Sequence, residues 1–204
     1  MQRAIHKGEA DILVGTQLLA KGHDFPKLTL VGVINADSAL YSPDFRATER
    51  LFAQLMQVGG RAGRASDAGE VLIQTQFPDH HLYRLLQRHD YAGFAASLLA
   101  ERAAAGFPPF VHQAVLRAEA GKLDTALAFL HQAQGAAPHM AGITLFDPTQ
   151  ASMTRKAGVE RALLLVQSPT RKPLQTFLSA WMPRLYALKA NNVRWNLDVD
   201  PLEI

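Results

Sequence analysis

The sequence predicts an α/β chain in two parts: a layer built on a parallel sheet, then an α+β layer of order β-α-β-β-α-β. Three observations carry this. The first third holds short continuous apolar runs bounded by glycine or acidic turn residues, as strands buried on both faces require. Helical connections separate these runs, and crossover connections favour parallel pairing. After Gly106-Phe-Pro-Pro-Phe110 the pattern changes to alternating strands around two long helices, the order of a ferredoxin-like split sandwich. That Pro-Pro segment is expected to run extended and sets the boundary between domains 1–106 and 107–204. A length of 204 residues and a hydrophobic content of 48% suffice for two small cores.

In order, Asp11 to Thr16 reads as a buried strand ended by glycine, and Gln17 to Phe25 as a short helix or turn stopped by Gly22 and Pro26. Leu28 to Asn35 is a second buried strand. An acidic loop with Asp37, Pro43 and Asp44 leads into a helix over Arg46 to Val58, whose Leu51, Phe52, Leu55 and Met56 line one face. Gly69 to Gln76 supplies a third strand, and His80–Arg88 and Tyr91–Ala105 read as helices. In the second part, strands are expected over Val111–Glu119, Ile143–Phe146, Arg161–Gln167 and Val193–Val199, with helices over Lys122–Gln134 and Arg171–Ala190. Pro183 is a candidate kink in the last helix.

Composition excludes several classes. No apolar run approaches the roughly 20 residues of a membrane span, and the N-terminus lacks the apolar core of a signal peptide, so a cytoplasmic location is expected. The absence of cysteine removes disulfides and thiolate metal sites, and no histidine pattern suggests a metal: the adjacent His80 and His81 would diverge on a helix. Net charge is only +3. Its distribution is uneven: residues 148–197 carry Arg155, Lys156, Arg161, Arg171, Lys172, Arg184, Lys189 and Arg194 against the single acid Glu160. A phosphate-binding face and solvated helix surfaces both account for that imbalance.

The stretch Gln57-Val-Gly-Gly-Arg-Ala-Gly-Arg64 places two arginines three residues apart, each preceded by glycine. Arginine offers a planar charged fork matched to phosphate, and glycine permits close backbone approach. By itself the stretch suits either a nucleotide's terminal phosphates or a solvated surface loop. In parallel sheets ligands bind at the carboxyl ends of strands, which is where Gly15, Thr16, Gln17 and Asp24 fall, as do Arg61 and Arg64 ahead of the third strand.

These motifs carry a resemblance. Ile12-Leu-Val-Gly-Thr-Gln-Leu-Leu-Ala-Lys-Gly-His-Asp-Phe25 is similar to motif V, and Gln57 to Arg64 to motif VI, of superfamily 2 helicases. Together with Asn35 to Arg50, Ala105 to Phe110 and Trp195 to Pro201, they resemble the C-terminal part of the PriA family of primosomal replication-restart DNA helicases. The resemblance implies that the first half is part of a second RecA-like helicase lobe. It implies Arg64 as the arginine finger for the γ-phosphate of ATP, Arg61 as a second phosphate contact, and Gln57 as an ATP-site or coupling residue. Gly15, Thr16, Gln17, Lys21 and Asp24 would couple DNA to the nucleotide.

No Gly-x-x-x-x-Gly-Lys-Ser/Thr phosphate loop and no acidic Mg-binding motif occur in the sequence. ATP with Mg, and the structural zinc of the family, would therefore be held by residues outside it. As a C-terminal fragment, the chain alone is expected to hydrolyse no ATP, and whether it counts as an enzyme stays open. An unpaired sheet edge in such a fragment would invite self-association.

The second domain shows no nucleophile, base or metal cluster, so binding is the expected role. Thr154 to Arg161 reads as a basic, glycine-containing connection, with Arg155, Lys156 and Arg161 able to follow a DNA backbone. Trp181 reads as core, and Trp195 as either core or a base-stacking ring. The resemblance implies binding of forked or single-stranded DNA, other primosome proteins, and the tail of single-stranded DNA-binding protein in a pocket using Arg171 and Gln175, one helical turn apart. The family's Gly-Pro turn is Asp147-Pro148 here, and Val159, Glu160 and Leu163 depart from its usual loop. A non-catalytic nucleic-acid or protein-interaction module is the other class open to the sequence, in which the glycine-arginine loop would grip DNA phosphates.

Overall fold

The computed structural model describes residues 11–15, 28–42, 44–59, 69–156 and 158–202, with the backbone alone for 152–156. It divides into two compact units, residues 1–99 and 100–204, each with its own core.

In the first unit, β1 (Leu30–Val33) and β2 (Glu70–Ile73) pair in parallel, with Leu30 opposite Glu70 and Val33 opposite Ile73. Helix α1 (Ala47–Gly59) buries Ala47, Leu51, Phe52 and Leu55, the stripe its spacing demands. Helix α2 (His81–Gln87) is capped by His80, whose Nδ1 accepts the Leu82 amide at 3.2 Å. Helix α3 (Tyr91–Ala105) opens with the Asp90 carboxylate accepting the Gly93 amide at 2.7 Å. A Cβ at residue 93 would collide with that carboxylate, so the cap and the glycine belong together. Phe52 and Phe94 stack with centroids 3.9 Å apart and form the centre of this core.

The expected strand at Asp11 to Thr16 does not form over the described residues 11–15, where Ile12 and Val14 are 83% and 86% exposed. A strand exists through its partner's hydrogen bonds, and among the described residues none pairs with this segment. The Gln17 to Phe25 element lies outside the described residues.

The second unit is a sheet of five strands covered by two helices. Its elements are β3 (His112–Ala120), α4 (Leu123–Gly135), β4 (Thr144–Leu145), β5 (Thr149–Lys156), β6 (Val159–Ser168), α5 (Arg171–Ala187) and β7 (Val193–Val199). The strand order is β4-β6-β3-β7, all antiparallel, and β5 also pairs with β6. The ten-residue β6 serves two short partners along one edge: β4 meets it at Gln167 and Val166, β5 at Leu163, Ala162, Glu160 and Val159. Alternation sends Ala114, Leu116, Ala118 and Ala120 of β3, with Ala162, Leu164 and Val166 of β6, into the core under the helices. Trp181 of α5 is fully buried and donates its Nε1–H to the Ala133 carbonyl of α4 at 3.0 Å, which satisfies the indole and ties the helices together.

Two expectations need correction here. Gly106 to Phe110 is a turn rather than an extended segment: the Phe110 amide donates to the Phe107 carbonyl at 3.1 Å, and the Pro108–Pro109 bond is cis. Helix α5 ends at Ala187, three residues early, because Leu188 turns to an extended conformation. Pro183 sits inside α5 without ending it.

Candidate nucleotide and nucleic-acid interface

Parallel pairing places the carboxyl ends of β1 and β2 at one edge. Asn35, in the left-handed conformation at φ 57°, turns the chain out of β1 into a 3-10 turn over Ala36–Ala39. Asp37 in that turn then binds the exit of β2. Its Oδ1 accepts the Thr75 hydroxyl at 2.6 Å and the Tyr83 phenol at 2.9 Å, and its Oδ2 accepts the Gln76 amide at 2.7 Å. The Thr75 hydroxyl, and next the Gln76 amide, hold the Asp37 carboxyl below its ordinary value. Burial raises the Tyr83 phenol, against the hydrogen bond with Thr75. With three donors on an ionised carboxylate, Asp37 is a clamp on this edge and not a free base. Sequence reading saw only a loop acid at this position.

Of the motif residues, Gly15 and Gln57 are described, and both are exposed. Gln57 lies in the last turn of α1, two residues before Gly59, so α1 delivers the chain directly into the glycine-arginine stretch. Thr16, Gln17, Lys21, Asp24, Arg61 and Arg64 lie outside the described residues.

In the second unit the expected connection Thr154 to Arg161 is a hairpin, with Arg155 opposite Glu160 and Lys156 opposite Val159. Gly158 at φ 83° takes the left-handed position that its turn requires. Arg155 and Lys156 thus stand at a hairpin tip. Arg161 is engaged by Glu119, whose Oε1 accepts from its Nε at 2.8 Å and from its terminal nitrogen at 2.6 Å. On the sheet face opposite the helices, Glu119 and Arg161 join Arg117, Asp198, Asp200 and Leu202 in lining an open groove of about 460 Å³. Arg117 lies 3.8 Å from Asp198. Arg171, at the start of α5, faces Asp200 at 3.7 Å, and Gln175 one turn on is exposed.

Residues 103–202 match the family model described as the primosomal protein N C-terminal domain, and residues 1–66 match the helicase conserved C-terminal domain. A replication restart protein PriA of Haemophilus influenzae is 44% identical over 202 residues, 98% of this chain and 28% of that protein. One of Treponema pallidum is 38% identical over 199 residues, 97% of this chain and 30% of that protein. The chain belongs to the PriA family. It spans about a third or less of these relatives' length and corresponds to a C-terminal portion of them. The primosomal match coincides closely with the second unit of this PriA-family chain, and the helicase match ends beyond Arg64. No described helix is long and apolar enough to cross a membrane. Among the described residues no group of three or more His, Cys, Asp or Glu could hold a metal.

Proposed function

We propose that this chain supplies the motif V and VI part of a helicase lobe, and the DNA- and partner-binding domain, of an ATP-dependent replication-restart helicase. The observation that carries the reading is the 44% identity to a PriA protein over 98% of the chain, with Gln57 to Arg64 intact as a motif VI sequence. In this reading Arg64 stabilises charge on the transferred phosphoryl group, a role worth roughly 10³ to 10⁵ in rate. Arg61 adds a phosphate contact and Gln57 couples to it, while Gly15, Thr16, Gln17, Lys21 and Asp24 link DNA to the nucleotide. ATP brings the phosphoryl group and Mg neutralises its charge; both, and zinc, would be held by residues outside this sequence. Domains meeting at Gly106 and a ferredoxin-like split sandwich for the second belong to the same reading, the latter supported by the strand order β4-β6-β3-β7 with helices on one face.

The second domain then binds forked or single-stranded DNA through Arg155 and Lys156, with Arg161 exchanging Glu119 for a phosphate. Arg171 and Gln175 receive the acidic tail of single-stranded DNA-binding protein, displacing Asp200, and other primosome proteins complete the partners. The test is fork-DNA binding by anisotropy in a salt series. Each lost phosphate contact lowers the salt slope by about 0.9 on duplex DNA, so Arg155→Ala/Lys156→Ala together should flatten it by about 1.8. An unchanged slope and affinity would remove these two residues from the interface.

A further inference from the structure

Three aromatic rings run from the core of the second unit to its surface. Phe129 of α4 is 3% exposed, Trp195 of the edge strand β7 is half-buried, and Tyr186 in the last turn of α5 is exposed. Trp195 lies 6.1 Å from Phe129 at an interplanar angle of 26°, and 5.3 Å from Tyr186 at 56°. The inner ring packs against the middle one, and the residue that carries the outer ring is 73% exposed.

Charge in the stretch that carries Tyr186 and Trp195 is one-sided. From Arg171 to Leu197 the chain carries Arg171, Lys172, Arg184, Lys189 and Arg194 and no acid. Alternation on β7 turns the next acid, Asp198, to the opposite sheet face, where it meets Arg117 at 3.8 Å. Arg194 is turned the same way, opposite Glu119 in register. Of these cations Lys189 is exposed and follows Tyr186 by three residues, whereas Arg184, two residues before Tyr186 on the helix, turns to the other side and reaches the Ala136 carbonyl at 3.3 Å. An exposed aromatic ring with a lysine three residues on, in a stretch without acids, is the chemistry that holds single strands: each base offers a π-face and each linkage a negative charge.

We propose that Tyr186 and Trp195 form a stacking platform for an unpaired base of single-stranded nucleic acid, with Lys189 holding the adjoining phosphate. The proposal rests on the reading that this domain binds DNA, and adds a site separate from the Arg155–Lys156 hairpin tip. Duplex DNA, whose bases are already stacked, gains nothing from the platform.

Both tryptophans lie in the second unit, and Trp181 is fully buried, so a fluorescence change on adding an oligonucleotide reads Trp195. The experiment titrates the full chain with oligothymidylate of about 15 nucleotides, near the upper site size of small single-strand binders. Parallel titrations use an abasic strand of equal length, a duplex, and an acidic peptide. Quenching by oligothymidylate, lost in Trp195→Phe and weak with the abasic strand, is expected. Tyr186→Ala should weaken oligothymidylate binding about tenfold and leave duplex binding within twofold, while Tyr186→Phe, which keeps the ring, binds as the native chain does. Equal quenching by abasic and base-bearing strands, quenching by the acidic peptide alone, or native affinity in Tyr186→Ala would each overturn the platform while leaving DNA binding by the domain intact. Absence of binding to any DNA by the native chain would overturn both readings.

Discussion

The two units solve the problem of a stable sheet with different resources. The second has five strands, two helices on one face and sixteen buried core residues that include Trp181 and Phe177. Among its described residues the first has two parallel strands and eight buried core residues around the Phe52–Phe94 stack. The described part of the first unit adds local clamps to its two strands: the Asp90 cap on α3, the His80 cap on α2, and above all Asp37 across the strand ends. Among the described residues the larger core belongs to the second unit, and long-range polar ties at the strand ends stand beside the smaller core of the first. Two paired strands bury little apolar face by themselves, and the Asp37 hydrogen bonds fix the exit of β2 where the described strand pairing ends.

Deleting the central ring of each unit gives the largest effects. Trp181→Ala removes a fully buried side chain and orphans the Ala133 carbonyl, at a cost of about 3–5 kcal/mol. Tryptophan emission is confined to the second unit, so denaturant midpoints followed through Trp195 should fall sharply. Phe52→Ala carries a comparable local cost of about 3–5 kcal/mol, yet should leave that emission midpoint in place while far-UV signal from the first unit is lost. A shift of the tryptophan midpoint in Phe52→Ala would show that the cores are coupled, and the contrast between the units would fail.

The polar clamp gives the next effect, and its pH dependence has a definite sign. The folded Asp37 carboxyl lies below its unfolded value of 3.8. Its contribution is therefore complete above that value and is lost as pH falls below it through the folded value. Amide exchange at Gln76, whose N–H donates to Asp37 at 2.7 Å, should accelerate relative to Val115 and Leu116 in the core of the second unit as pH drops through this window. In Asp37→Asn the Gln76 amide should already be less protected at neutral pH and show no such acid-dependent loss.

The same contrast explains what sequence could disclose. Strand β7 falls on Val193–Val199 as expected, and α1, α3 and α4 shift by no more than a residue at their ends, because apolar spacing records burial directly. Strand β5 was invisible for the complementary reason. Thr149 to Lys156 contains one large apolar residue, Met153, and its strand character comes from pairing with β6 across an irregular register. Asp37 was equally hidden, since its partners Thr75, Gln76 and Tyr83 lie 38, 39 and 46 residues away. The pairing of Arg161 with Glu119 across β6 and β3 needed the register of those strands, which no local pattern specifies. Residues 57–64 read as a motif from sequence alone because its chemistry is contiguous.

The smallest effect separates the polar ties of the second unit from its binding surface. Glu119 and Arg161 are partly exposed, with side chains 26% and 34% accessible, so their pair contributes at most about 1 kcal/mol to stability. Glu119→Gln should leave the tryptophan midpoint nearly unchanged because Trp181, not this pair, holds the core. It should, however, release the Arg161 guanidinium into the groove that also contains Arg117. Because Arg161 no longer has to leave Glu119 to reach a phosphate, fork-DNA binding becomes tighter with its salt slope unchanged, whereas Arg161→Ala flattens the slope by about 0.9. An unaltered slope in Arg161→Ala would mean that Arg161 serves only to tie β6 to β3, and that phosphate contacts of this unit lie at the Arg155–Lys156 hairpin tip and along α5.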